Sequence, residues 1–178
     1  MSGSASTERR RERVVLIGFR GCGKTTLGRA LADRLGWDYL STDEQTEAAS
    51  GRTIPEIVAR DGWPVFRQWE RQVIAGLRER MRAVIDCGGG VIEDARNMAA
   101  LAPGSLIVWV DAAPEVILQR LRASGDRPLL NQDNLEKDIV ENYRRRELLY
   151  RQYGEVRVDT SDAAVEGMCG EVERVLGA

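Results

Sequence analysis

The segment GFRGCGKT, residues 18–25, matches the phosphate-binding pattern G-x-x-x-x-G-K-[ST]. It follows the apolar run of residues 14–17, which predicts a buried parallel strand, and it precedes apolar residues at helical spacing that end at Gly36. A strand before the loop and a helix after it are the context that supports such a match. Because only about 0.002 matches are expected by chance in a chain of this composition, the motif predicts a nucleotide phosphate site.

Each residue type in this loop has a chemical reason to be there. Glycines let backbone N–H groups approach phosphate oxygens, and the following helix adds the positive end of its dipole. Lys24 is expected to reach the β- and γ-phosphates, and the Thr25 hydroxyl is expected to ligate Mg²⁺. The residues expected to bind ATP here are Gly21, Cys22, Gly23, Lys24, Thr25 and Thr26.

Composition restricts the classes of protein that this chain can be. Its 178 residues are 43% hydrophobic and 30% charged, which is typical of one folded domain rather than of a disordered chain. The 26 basic and 28 acidic residues argue against general nucleic-acid binding, and no apolar run reaches the roughly 18–20 residues of a membrane span. The absence of histidine excludes Ser-His-Asp and Cys-His catalysis and any zinc site that contains histidine.

The cysteines and the first residues bear on where the protein works. Cys22, Cys87 and Cys169 are widely spaced, odd in number and form no CxxC pair, which favours a reduced, cytoplasmic location. Residues 1–13 are polar and lack the apolar segment of a secretory signal, so we expect a short disordered tail there. The folded domain is expected to cover residues 14–178 and to be monomeric.

Apolar runs alternate with helical periodicity along the chain. Predicted strands cover residues 14–17, 38–40, 84–87, 106–110 and 156–158. The helices between them include one that opens with the capping-box pair Thr53 and Glu56, and a longer one over residues 63–81. The alternation predicts a single doubly wound α/β domain with a central five-stranded parallel sheet.

A phosphate loop by itself does not distinguish a kinase from a GTPase or a motor protein. Asp86 and Gly89 match the DxxG pattern of GTPases, but no [NT]-K-x-D segment follows that would recognise guanine. A chain of 178 residues also leaves no second domain to convert hydrolysis into motion. These observations favour a kinase that acts on a small molecule.

Further motifs follow the phosphate loop in a fixed order. They are STDEQTEAASGRTIPEI from Ser41, FRQWE from Phe66, DCGGGVI from Asp86, DRPLL from Asp126 and YRRRELLY from Tyr143. With these motifs the chain resembles the shikimate kinase family over roughly residues 14–160. The resemblance implies a nucleoside-monophosphate-kinase-like P-loop fold with a mobile lid, Mg²⁺ as cofactor, and transfer of the ATP γ-phosphate to the 3-hydroxyl of shikimate.

The resemblance implies how the acceptor carboxylate is bound. Arg67 and Arg146 match the family's carboxylate-binding arginines, and paired guanidinium N–H groups suit a carboxylate. Glu70 is expected to hold Arg67 in place, because it lies three residues away on the same helix face. We expect the neighbouring Arg144 and Arg145 to lie on a solvated face instead.

Three more residues match family residues that contact the reacting hydroxyl or the nucleotide. Asp43 matches the aspartate that contacts the reacting hydroxyl and orients it or takes its proton, although alone it would be an ordinary N-cap. Arg127 lies in a polar segment of about 122–134 and matches the lid arginine, which would offset charge on the transferred phosphoryl group. Arg120 matches the arginine that stacks on adenine.

The third predicted strand ends at two functional elements. Gly88, Gly89 and Gly90 follow it, and their N–H groups are expected to contact the substrate where side chains would obstruct it. Asp86 precedes them at the position where other phosphate-loop enzymes hold Mg²⁺. The family usually has an aspartate where this chain has Ser41, so we expect Asp86 to supply the missing metal-site carboxylate. The alternative is that Asp86 only caps the glycine turn.

Two other functions remain open at this point. A related phosphate-loop kinase of another hydroxy acid or polyol would keep Lys24 and Thr25 without needing both Arg67 and Arg146. A nucleotide-binding regulatory module that has lost catalysis is the second, because Ser41 departs from the family pattern. The resemblance itself favours ATP and shikimate as partners, with no nucleic acid and no membrane.

Overall fold

The predicted strands form one parallel sheet. The computed structural model describes residues 11–124 and 132–177. Its strands pair in parallel in the order β2-β3-β1-β4-β5, so the predicted doubly wound α/β domain is confirmed. The strands are β1 (Arg13–Ile17), β2 (Asp38–Ser41), β3 (Ala83–Asp86), β4 (Ser105–Asp111) and β5 (Val156–Asp159).

Within the described ranges six helices connect the strands, and a seventh follows the last strand. None of these helices has both the length and the apolar character that crossing a membrane requires. They are α1 (Lys24–Leu35), α2 (Thr42–Ser50), α3 (Ile54–Leu77), α4 (Ala95–Leu101), α5 (Pro114–Ser124), α6 (Gln132–Tyr153) and α7 (Val165–Leu176), with a 3₁₀ turn over Val91–Glu93.

The strand order determines where a ligand can bind. The chain leaves β1 toward the edge formed by β2, and it leaves β3 toward the opposite edge, where β4 and β5 lie. Open α/β sheets bind ligands at such a reversal, outside the carboxyl ends of the strands. The crevice therefore lies at the ends of β1 and β3, where the phosphate loop and the three glycines begin.

The three central strands supply the core. Every residue of β1, β3 and β4 is buried, whereas the edge strands β2 and β5 are partly exposed. Leu27 and Leu31 of α1 and Val172 of α7 belong to the same apolar cluster as these strands. Because helices cover the sheet, the central strands are continuous apolar runs rather than alternating ones, and this made them predictable.

The long helix α3 joins the two helices that the sequence predicts between residues 53 and 81. Thr53 and Glu56 form the predicted capping box, in which the Glu56 carboxylate accepts a hydrogen bond from the Thr53 N–H at 2.8 Å. Gly62 interrupts the helix with a φ of 82°, a left-handed conformation that favours glycine. The helix ends at Leu77, its last buried apolar residue, four residues before the predicted end.

Both ends of the predicted loop over residues 122–134 are helical. Helix α5 continues to Ser124 and α6 begins at Gln132. The helix-breaking residues of this segment, Gly125 and Pro128, both fall between the two helices, which explains why its flanks stay helical. Residues 125–131, with Arg127, lie outside the described residues, so the lid and its arginine stay predictions.

Arg13 belongs to the fold and not to the tail in which the sequence analysis placed it. It begins β1 one residue earlier than predicted, and only 2% of it is exposed. Its guanidinium donates to the Leu101 and Pro103 carbonyls, both at 2.8 Å, and to the Ser105 hydroxyl at 2.6 Å. It also donates to the Leu77 carbonyl at 3.2 Å, so one side chain ties the ends of α3 and α4 to the sheet.

Replacing Arg13 by alanine is expected to lower the free energy of unfolding by about 2–4 kcal/mol, because buried carbonyls lose a charged donor. The matched control is Arg11→Ala. Arg11 pairs with Glu155 at 2.7 Å near the surface, and its loss should cost less than about 1 kcal/mol. Urea denaturation measures both variants, and equal losses would contradict the role given to Arg13.

Candidate active site

One cavity of about 550 Å³ lies at the crevice. Most of the predicted site residues line it, from the phosphate loop at one end to the arginines of α3 and α6 at the other. These are Gly21, Gly23, Lys24, Thr25, Asp43, Arg67, Gly88, Gly89, Gly90, Arg120 and Arg146. The lining also includes side chains that the sequence analysis did not assign to the cavity, namely Arg20, Ile54, Trp63, Phe66, Glu70 and Leu121.

Three predicted residues within the described ranges lie outside that lining, and Arg127 falls beyond those ranges. Cys22 is fully buried, and burial raises the pKa of its thiol, so it is a structural residue of the loop. Thr26 is exposed on the first turn of α1. Asp86 is 7% exposed and reaches the site through Thr25.

The phosphate loop packs closely on the sheet. Gly18 has a φ of 151°, and a Cβ there would lie 2.1 Å from the Val110 carbonyl oxygen, so only glycine fits. The buried Lys24 donates from Nζ to the carbonyls of Gly18 and Phe19, both at 3.0 Å. Burial acts to lower the Lys24 pKa, but the Cys22 sulfur and the Asp86 and Asp43 carboxylates raise it, and the net pKa lies above the ordinary lysine value. Lys24 is therefore a cation.

Thr160 couples the phosphate loop to Arg120, a link that the sequence analysis missed. The Thr160 hydroxyl donates to the Cys22 carbonyl at 2.7 Å and accepts from Arg120 Nη1 at 2.8 Å. Arg120 Nη2 also donates to the Thr160 carbonyl at 2.7 Å. These contacts hold the Arg120 guanidinium at the nucleotide end of the cavity.

Asp86 accepts hydrogen bonds from hydroxyl groups of two neighbouring elements. Its Oδ2 accepts from the Thr25 hydroxyl at 2.8 Å and from the Tyr39 hydroxyl at 2.8 Å. Burial, together with the adjacent Asp86 charge, raises the pKa of Tyr39, so Tyr39 is a donor. Asp86 pairs with Ser41 in the parallel register of β3 and β2, and the two positions are direct neighbours at the sheet edge.

Ser41, and not Asp43, is the N-cap of α2. The Ser41 hydroxyl accepts from the Glu44 N–H at 3.2 Å, which satisfies one of the free donors at the helix start. The interpretation of Asp43 as an ordinary cap is therefore wrong. Asp43 lies within the first turn of α2 and lines the cavity.

The three glycines leave room for the side chains around them. A Cβ on Gly88 would lie 2.6 Å from Asp43 Oδ1, and one on Gly90 would lie 2.0 Å from Arg67 Nη2. Both distances are shorter than van der Waals contact, so alanine at either position would displace a cavity residue. Gly88 and Gly90 thus give Asp43 and Arg67 the space that these side chains occupy at the cavity wall.

Glu70 holds Arg67 as expected. Arg67 Nη1 lies 2.9 and 2.8 Å from the two carboxylate oxygens of Glu70, which is 1% exposed. Burial raises the Glu70 pKa, and the Arg67 charge acts in the opposite direction. The rings of Trp63 and Phe66 lie 5.8 and 5.1 Å from the Arg67 guanidinium, so aromatic faces flank this cation.

Glu93 links the arginines and was missed by the sequence analysis. Its Oε2 accepts from Arg67 Nη2 and Arg146 Nη2, both at 3.1 Å, and its Oε1 lies 2.6 Å from Arg145 Nη2. Arg145 is exposed but ion-paired, so its interpretation as a purely solvated residue is incomplete. Within the described ranges, the buried Nε of Arg146 has no hydrogen-bond partner.

Fold and cavity together define the class of protein. A five-stranded parallel sheet of this order, with the loop GFRGCGKT between β1 and α1, is the fold of a phosphate-loop kinase. The cavity beside the loop has the volume of a small-molecule site and ends in arginines, which suits a small anionic acceptor.

Comparison with known proteins defines the family. The family model described as shikimate kinase matches residues 20–176. Shikimate kinases of Moorella thermoacetica and Oleidesulfovibrio alaskensis are each 38% identical to the chain, covering 93% and 94% of it and 94% and 98% of their own lengths. The solved structure of shikimate kinase from Acinetobacter baumannii in complex with shikimate has a TM-score of 0.86 at 32% identity, covering 95% of each chain. The chain belongs to the shikimate kinase family.

Proposed function

We propose that this protein transfers the γ-phosphate of ATP to the 3-hydroxyl of shikimate, giving shikimate 3-phosphate for aromatic amino acid biosynthesis. One observation carries the proposal: Lys24 of the phosphate loop, Asp43 and the guanidinium groups of Arg67 and Arg146 line the same cavity. A phosphate donor, a group that can act on a hydroxyl, and a carboxylate anchor are the three parts that this reaction needs.

The acceptor carboxylate binds between Arg67 and Arg146. Both carboxylate oxygens of Glu70 accept from Arg67 Nη1, which fixes the orientation of the Arg67 guanidinium and of its Nη2 group. Arg146 has a buried Nε that makes no hydrogen bond among the described residues and can donate one. Because Gly90 has no side chain, the Arg67 guanidinium can lie against it at the cavity wall. A carboxylate can pair with both guanidinium groups, which an uncharged polyol cannot do, so this pair favours a hydroxy acid.

The nucleotide binds at the opposite end of the cavity. Backbone N–H groups of residues 21–26 and the start of α1 receive the phosphates, and Lys24 moves from the loop carbonyls to the β- and γ-phosphates. Arg120, fixed by Thr160, is placed to stack on the adenine. Arg127 is proposed to close over the phosphates and to offset the charge of the transferred group.

Asp43 acts on the acceptor hydroxyl. It lies in the first turn of α2, and its Oδ1 is close to Gly88, next to the proposed ring position. From there its carboxylate orients the 3-hydroxyl toward the γ-phosphorus and takes the proton as the oxygen attacks. This active role, together with Asp86, is why we prefer an enzyme to a regulatory module that has lost catalysis.

Thr25 and Asp86 are proposed to hold Mg²⁺. A hydroxyl and a carboxylate 2.8 Å apart beside a phosphate loop are oxygen donors of the kind this ion prefers, and the ion keeps several waters of its own. When bound, Mg²⁺ neutralises charge that develops on the phosphate oxygens. The hydroxyl of Tyr39 orients the Asp86 carboxylate.

Two further properties belong to this proposal. The enzyme is proposed to be a monomer. The three cysteines are unpaired and buried, which supports a reduced, cytoplasmic location.

A coupled assay of ADP release tests the substrate directly. Release is expected to depend on shikimate, because shikimate supplies the attacking hydroxyl. It is also expected to depend on Mg²⁺, because the ion neutralises charge on the phosphate oxygens. The control is quinate, a polyhydroxy acid with the same charge. If shikimate does not raise ADP release above the rate with ATP alone, or quinate does so equally well, the substrate assignment is wrong.

Asp43→Asn keeps the size of the side chain and removes its charge. We expect turnover to fall about 10²- to 10⁴-fold, because a carboxylate that takes the hydroxyl proton contributes that much. ATP affinity, measured by calorimetry, should change less than about threefold. Turnover close to that of the unmodified protein would show that Asp43 does not act on the hydroxyl.

Asp86→Ala is expected to raise the Mg²⁺ concentration needed for half-maximal nucleotide binding by about 10-fold or more, as for other supporting metal-site groups. Ser41→Asp in that background should partly restore it, because position 41 neighbours position 86 and aspartate also caps a helix. Tyr39→Phe, which removes one hydroxyl from Asp86 but keeps the carboxylate, is the matched control. An unchanged Mg²⁺ dependence of Asp86→Ala would leave Asp86 as a cap of the glycine turn.

A further inference from the structure

We propose that Glu93 occupies the place of the substrate carboxylate in the empty site, and that shikimate binds by exchanging its own carboxylate for that of Glu93. The inference rests on the proposed function, because it concerns the acceptor end of the same cavity. It makes Glu93 a residue that determines specificity, because an acceptor carboxylate must compete with it for the Nη2 groups of both arginines.

The contacts of Glu93 are those that a bound carboxylate would need. One of its oxygens, Oε2, lies 3.1 Å from Nη2 of Arg67 and 3.1 Å from Nη2 of Arg146, so it bridges the two guanidinium groups. A substrate carboxylate held by the same two arginines requires these same N–H groups. Two carboxylates in one place also repel each other, so Glu93 has to leave.

Arg146 explains why shikimate can displace an internal carboxylate. Glu93 meets Arg146 only through Nη2, and the buried Nε of Arg146 has no partner among the described residues. A carboxylate that meets Nε and Nη2 side by side makes two parallel charge-assisted hydrogen bonds and satisfies a buried donor. A substrate that adds hydroxyl contacts gains further, whereas a simple carboxylate without hydroxyls does not.

Arg145 gives the displaced carboxylate a second position. Its Nη2 already lies 2.6 Å from Glu93 Oε1, and its side chain is 61% exposed, so Glu93 can turn outward without losing this ion pair. The five side chains at this end carry three guanidinium charges and two carboxylate charges, from Arg67, Arg145, Arg146, Glu70 and Glu93. Within this set of ion pairs the arginines outnumber the carboxylates by one, which favours binding of a further carboxylate.

Glu93→Gln tests the exchange, since it keeps the shape of the side chain and removes its charge. Calorimetric titration with shikimate is expected to give about three- to tenfold tighter binding. The reason is that the two partly exposed ion pairs of Glu93, with Arg67 and Arg146, no longer have to be broken. In the steady state the KM for shikimate should fall and kcat should stay within about twofold, because Glu93 does not touch the reacting atoms. Unchanged or weaker binding would overturn the proposal.

Two controls separate charge exchange from a general change of the pocket. The methyl ester of shikimate has no carboxylate charge, so Glu93→Gln should leave its affinity within about twofold. Arg145→Ala should weaken shikimate binding in the native background and do so much less in the Glu93→Gln background, because the second position of Glu93 then no longer matters. Arg144→Ala removes a charge from the same exposed helix face and is the matched control for long-range attraction.

The two hypotheses fail in different ways. If the unmodified protein binds no shikimate, the proposed function is wrong and the exchange falls with it. If the unmodified protein binds shikimate but Glu93→Gln does not bind it more tightly, only the exchange is wrong. Equal effects of Arg145→Ala in both backgrounds would likewise count against the exchange alone.

Discussion

All five strands run in the same direction, so the segments that leave their carboxyl ends meet at one edge of the sheet. Lys24 follows the loop after β1, Asp43 lies in the first turn of α2 directly after β2, and the glycines follow β3. Burial of β1 and β3 fixes their register, with Leu16 opposite Asp86, and this sets the distance between phosphate loop and acceptor pocket. The chemistry of the site thus depends on apolar residues that take no part in it.

Features that depend only on residues close together in the sequence could be predicted. Continuous apolar runs predicted the three central strands, because a covered parallel sheet buries both faces of such strands. The phosphate loop was recognisable because eight consecutive residues contain the glycines, the lysine and the hydroxyl that binding of phosphate and Mg²⁺ needs. The pair of Arg67 and Glu70 was predictable for the same reason, since helical geometry places residues three apart side by side.

Features that depend on distant parts of the chain could not be predicted in this way. Arg13 is charged and follows a polar segment, so it resembles the end of a tail, yet its hydrogen-bond partners lie 64 to 92 residues away. Thr160 is separated from Cys22 by 138 residues. Glu93 had one usable signal, an acidic residue just after the predicted substrate loop, but only the fold shows which arginines surround it.

The relation between Ser41 and Asp86 bears on the Mg²⁺ site that we propose. The two residues are paired on adjacent parallel strands, which are about 4.8 Å apart, and it is Asp86 whose side chain contacts Thr25. Carboxylates at both positions would place two negative charges side by side at the sheet edge, and their repulsion would oppose the folded state. One carboxylate, oriented by the hydroxyls of Thr25 and Tyr39, avoids this cost and leaves position 41 to cap α2. The Mg²⁺ site that we propose therefore needs one carboxylate beside Thr25, and Asp86 of β3 supplies it in this chain.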